Sequence, residues 1–112
     1  MSKRNIIQLS EFDITQKIIE SLSNVCTRSV LFSVKNESKD VMQIADELKI
    51  SISTVYKTLS TLEDLALAEI DRYVISPEGK KIKLYRSRIG KVEITLDDLE
   101  PTLMLHPNDS KN

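Results

Sequence analysis

Tryptophan is absent from this sequence, glycine occurs twice, proline three times, and cysteine and histidine once each. So few chain breakers argue for a helix-rich chain. The single cysteine, Cys26, excludes an intramolecular disulfide and cannot by itself furnish a zinc site of the multi-cysteine type. It stands at the beginning of the second expected helix and reads as an inert small residue, with a redox role the weaker alternative. His106 has no cysteine or second histidine beside it and is assigned no ligand role. Both glycines, Gly79 and Gly90, fall late in the chain, so there is no glycine-rich phosphate loop; a nucleophile elbow and a paired-histidine motif are missing too. The chain is read as not an enzyme, and no metal or cofactor is expected. No apolar run approaches the roughly 20 residues of a membrane span, and Met1 to Gln8 lack the apolar core of a signal peptide. The expectation is a cytoplasmic protein without a membrane partner. Aromatic residues make up 4%, too few for a single-strand stacking platform, so Tyr73 and Tyr85 are expected to cover the edge of the core.

What is present is ordinary in bulk and uneven in detail. The 112 residues, 40% hydrophobic and 29% charged, suit one soluble domain with one modest core. The net charge of −1 conceals a segregation. Lys80, Lys81, Lys83, Arg86, Arg88 and Lys91 form a run without an acidic residue among them; from Glu93 onward Asp97, Asp98, Glu100 and Asp109 dominate. Local potential, not the total, decides where a polyanion docks.

Periodicity divides the chain. Ile14, Ile18, Ile19 and Leu22 share a helical face, and Asp13 with Gln16 has capping-box spacing, so a first helix is expected from about Ile14 to Leu22. Val30, Leu31 and Val34 mark a second, ending near Lys35 to Ser38. Asp40 and Gln43 repeat the capping box before a third, whose inward stripe is Val41, Ile44, Ala45 and Leu48. Ser51 is the N-cap of a fourth, with Val55, Leu59 and Leu62 inward. The period then changes to two. Leu67 to Ile75 reads as a strand, Pro77, Glu78 and Gly79 as a turn, and Lys80 to Ser87 as the basic return strand. Val92, Ile94 and Leu96 alternate with polar residues and predict a third strand before Pro101; residues from His106 to Asn112 read as frayed.

The stretch from Gln43 to Leu62 carries the functional signal. Ala45 is small where two helices approach closely, Ile50 plugs the turn, and Val55 and Leu59 hold the fourth helix on the third. Ser53, Thr54, Tyr56, Lys57 and Ser60 are left outward near the start of that helix, beside the N-cap Ser51, and these residue types suit a DNA major groove. Between Ile44 and Val55 runs the pattern Ile-Ala, two residues, Leu, one residue, Ile-Ser, one residue, Ser-Thr-Val. This segment resembles the helix-turn-helix of archaeal and bacterial winged-helix regulators of the ArsR-like group. The resemblance extends over roughly Ile14 to Ile89, including Leu62 to Leu67 as the link into the wing, and the hairpin tip from Ser76 to Lys81 and the strand from Leu84 to Ile89 are similar to archaeal members. Ala66 departs from it: glycine is common there, and the turn out of the helix is expected to differ in detail.

The resemblance implies an α+β winged helix-turn-helix fold of about four helices and a two- or three-stranded antiparallel wing sheet. The DNA-binding domain is expected over residues 10–90, and a C-terminal strand and tail over 91–112. The implied function is sequence-specific regulation of transcription on double-stranded DNA. Ser51, Ser53, Thr54, Tyr56, Lys57 and Ser60 would be presented by the recognition helix, and Lys80, Lys81 and Lys83 would hold the backbone. The alternative is a winged-helix protein–protein interaction module without DNA affinity, since the fold alone does not establish function. A homodimer is expected, joined through the first helix and Val92, Ile94, Leu96, Leu99, Leu103 and Leu105.

Overall fold

The computed structural model describes residues 14–109, with four helices followed by four strands. Helix α1 occupies residues 14–23, followed by α2 (Val25–Ser33), α3 (Val41–Leu48) and α4 (Ile52–Asp64). Strands β1 (Ala68–Ile75) and β2 (Lys81–Ser87) form one antiparallel sheet, and β3 (Ile89–Thr95) and β4 (Thr102–Pro107) another. Asp13, half of the first expected capping box, lies outside the described residues.

Local chemistry sets each helix boundary. Asn24 separates α1 from α2: its side chain accepts the Thr27 N–H at 3.0 Å as the N-cap of α2. Arg28 reaches back from α2 to the Leu22 and Ser23 carbonyls at 2.7 and 3.1 Å, satisfying orphan acceptors at the end of α1. The capping box of α3 is reciprocal, with the Gln43 N–H donating to Asp40 at 2.8 Å and the Asp40 N–H to the Gln43 side chain at 2.9 Å. Helix α3 ends on Lys49 in the left-handed region, φ 58°, and the chain turns at once into α4.

The core gathers the inward stripes. Ile18, Leu22, Val30, Leu31, Val34, Val41, Ile44, Ala45, Val55, Leu59, Leu62 and Leu67 are buried together, with Ala68, Tyr85 and Ile89 closing the sheet side. Each fully buried aliphatic side chain contributes about 1.5–3 kcal/mol relative to exposure, and Val55, Leu59 and Leu62 fix which face of α4 stays outside. Ile14, expected on the inward face of α1, is exposed. The α1 stripe meets the core only through Ile18 and Leu22, with Ile19 half-buried.

The first hairpin is a two-stranded wing with one addition. Lys39, just before α3, exchanges both backbone hydrogen bonds with Tyr85 of β2, at 3.1 and 2.8 Å, so the wing root is anchored to the approach of the helix pair. A bulge at Asp71 shifts the β1–β2 register between Ile70 and Arg72, and the Asp71 carboxylate accepts the Ser38 hydroxyl at 2.7 Å. The tip turns at Gly79, φ 84°, with the Ser76 and Lys80 backbones paired. Four helices, a helix pair around a tight turn and this hairpin make the expected α+β winged helix-turn-helix.

Beyond the wing, the third expected strand is present as β3, but it pairs with β4 and not with the wing. This corrects the frayed reading of His106 and Pro107, which belong to β4, and of Asn108, whose N–H donates to the Arg88 carbonyl at 2.8 Å. The corner between the sheets is fixed by Ser87. Its buried hydroxyl donates to the Ile89 carbonyl at 2.7 Å and accepts the Ile89 N–H at 3.0 Å, while its own N–H reaches the Val34 carbonyl at 3.1 Å.

Candidate nucleic-acid interface

Helix α4 starts on Ser51, whose hydroxyl oxygen accepts the Thr54 N–H at 3.1 Å and lies 2.7 Å from the Thr54 hydroxyl and 3.2 Å from that of Ser53. These three candidates form one hydroxyl cluster at the helix N-terminus, where the exposed N–H groups carry partial positive charge. All six candidates from Ser51 to Ser60 are exposed.

They do not share one direction. At about 100° per residue, Ser53, Lys57 and Ser60 fall on the meridian opposite the buried stripe of Val55, Leu59 and Leu62. Thr54 and Tyr56 lie on opposite flanks of that meridian. Tyr56, 57% exposed, turns toward the wing, where it lines a cleft of about 270 Å³ together with Asp40, Val41 and Met42 at the start of α3 and Lys81, Ile82, Lys83 and Tyr85 of β2. Two of the three wing lysines thus line the same cleft as one residue of α4. Lys80 stands apart at the tip, where its backbone N–H donates to the Ser76 hydroxyl at 3.0 Å.

Tyr73 belongs to the same surroundings and was not among the candidates. It pairs with Lys83 across the wing, and the Lys81 ammonium sits over its ring, 4.5 Å from the centroid. Tyr85 covers the core as expected, whereas Tyr73 is 46% exposed. The Tyr85 hydroxyl is pushed above the usual tyrosine range, first by burial, then by the Glu63 carboxylate, then by Tyr56 and Tyr73. Tyr56 of α4 and Tyr73 and Tyr85 of the wing are therefore near enough for their charges to interact. The sequence offered one hint, Asp71 in mid-strand, a residue poorly suited to strands and suited to a bulge.

Cys26 is half-buried, and His106 contacts Glu93 at 2.5 Å on the β3–β4 hairpin. Among the described residues no group of three or more His, Cys, Asp or Glu is arranged to hold a metal ion, and no helix is long and apolar enough to cross a membrane.

A helix pair joined by a tight left-handed turn, an exposed capped second helix and an adjoining basic hairpin define the winged helix-turn-helix class. No family model matches the sequence. It is 33% identical over 66 residues to an uncharacterized HTH-type transcriptional regulator of Methanocaldococcus jannaschii, a match spanning 59% of this chain and 70% of that protein. The chain belongs to the HTH-type transcriptional regulators.

Proposed function

We propose that this protein is a sequence-specific regulator of transcription that binds double-stranded DNA, of the ArsR-like kind its helix-turn-helix segment resembles. The observation that carries the reading is the pairing of the exposed N-terminal half of α4 with a lysine-bearing wing on the same side. Helix α4 enters the major groove, where Ser53, Thr54, Tyr56 and Lys57 meet base edges or flanking phosphates, with Ser51 and Ser60 at the margins. Lys80, Lys81 and Lys83 hold the backbone beside the groove.

The regulator acts as a homodimer, because one recognition helix reads only a few base pairs and two helices one turn apart read a divided site. Support comes from the hairpin of residues 91–107. Val92 and Leu103 pack on the chain's own core, but Ile94, Leu96 and Leu99 are 45%, 71% and 95% exposed. Ile18 and Leu22 of α1 are buried within the chain, which leaves the hairpin as the better contact.

The test is a mobility shift of mixed-sequence duplex DNA at low and at physiological salt. Log affinity should fall with log salt by about 0.9 for each phosphate neutralised. An absence of binding at low salt favours the protein–protein interaction module instead.

A further inference from the structure

Tyr56 stands on the recognition helix yet faces the wing. Its neighbours across the cleft are Lys81 and Lys83, and Tyr73 stabilises one of them by holding the Lys81 ammonium over its ring. Ser53, Lys57 and Ser60 occupy the outermost meridian of α4, about 40° to 100° around the helix from Tyr56. A side chain so placed meets the rim of a groove filled by the helix, and the rim of a DNA groove is its sugar–phosphate backbone. One carboxylate, Asp40, lines the space; it is committed to the α3 N-terminus, so an anion is favoured on the side of the cleft that carries Lys81 and Lys83.

We propose that the cleft between α4 and the wing grips one backbone segment of the duplex, with Tyr56 a positioning residue that works with Lys81 and Lys83 and does not read bases. The inference rests on the DNA-binding reading above and makes recognition helix and wing one clamp. The Tyr56 hydroxyl donates to a phosphate oxygen, the two ammonium groups neutralise charge on either side, and Tyr73 keeps Lys81 from swinging into solvent. The remaining outward residues of α4, with Thr54 on the far flank, are left to the bases.

The experiment measures binding to a labelled mixed-sequence duplex over a range of salt for the wild type and for Tyr56→Ala, Tyr56→Phe and Lys81→Ala. Tyr56 and Lys81 are exposed, and circular dichroism checks that each variant is folded. Tyr56→Ala and Tyr56→Phe should each lose about tenfold to a hundredfold, as expected for a lost hydrogen bond to a charged group, without changing the salt slope. Lys81→Ala should lose a similar factor and flatten the slope by about one unit. Wild-type affinity in Tyr56→Ala, with Lys81→Ala weakened, overturns the proposal and leaves the DNA-binding reading standing. Tyr56→Phe equal to wild type overturns the hydroxyl contact. A wild type that binds no duplex at low salt removes both the reading and the inference.

Discussion

The Asn108 side-chain amide donates to two backbone carbonyls at once, Lys35 after α2 and Ser87 at the end of β2, each at 2.8 Å. One residue beyond β4 thus ties the second hairpin to the helical core and to the root of the wing. Asn108→Ala leaves both carbonyls without this donor, and a loss of about 1–3 kcal/mol in unfolding free energy is expected. Chemical denaturation measures it. Hydrogen exchange should quicken first in β3 and β4 and leave α3 and α4 unchanged; uniform quickening would show that the contact does not act locally.

Ala66 adopts φ 59°, in the left-handed region, where its Cβ crowds the following carbonyl. Glycine removes that strain, of about 1–2 kcal/mol, while adding unfolded-chain entropy worth about 0.4–1 kcal/mol. Ala66→Gly should therefore stabilise the protein by about 0.5–1 kcal/mol, read as a higher melting temperature. An unchanged or lower melting temperature would show that the turn accommodates the methyl group.

At the start of α4, Ser51→Ala removes the N-cap and should cost about 1 kcal/mol. Ser51→Asp retains a capping oxygen and should melt close to wild type, but it sets a negative charge at the edge of the proposed DNA face. The two variants separate folding from binding: alanine lowers the melting temperature with a modest effect on duplex affinity, and aspartate does the reverse. Equal DNA affinity for wild type and Ser51→Asp would place the α4 N-terminus away from phosphate.

Light scattering at micromolar concentration should give the mass of a dimer for the wild type and of a monomer for Leu96→Glu with Leu99→Glu. Both side chains are exposed on the single chain, so the double variant should still fold. A monomeric parent, with and without DNA, would remove the dimer.

Glu93 titrates below the ordinary glutamate range, chiefly through its hydrogen bond with His106 and then through the Lys91 charge. A carboxyl with a lowered folded-state pKa contributes stability above its unfolded value and loses it as the pH falls through the folded one. Exchange of β3 and β4 amides, corrected for intrinsic rates, should thus accelerate as the pH drops below the usual carboxylate range. Glu93→Gln should abolish the dependence; its persistence would assign it to another acid.

Helix boundaries were readable because local chemistry sets them. Asp40 with Gln43 and Ser51 with Thr54 are contacts within three residues, and each is found where the spacing placed it. Strand β4 was not readable, since Leu103, Met104 and Leu105 are three consecutive apolar residues without alternation and their order depends on pairing with β3. The exposed face of α4 was legible residue by residue, but the geometry around it was not. That Tyr56 faces Lys81 and Lys83 depends on how the wing is hung from Lys39, and the placement of Tyr73 follows a bulge that interrupts the two-residue period.

The two hairpins carry opposite charge: lysines on the wing, and Asp97, Asp98 and Glu100 on the loop between β3 and β4. A molecule so built, with almost no net charge, experiences little overall pull toward a polyanion but a turning moment near one. On the proposed DNA-binding reading, the wing is drawn toward the duplex and the acidic loop is repelled before contact. Mutating that loop to neutral residues would add attraction while weakening the preference for one orientation, so encounters would become more frequent and a smaller share of them productive.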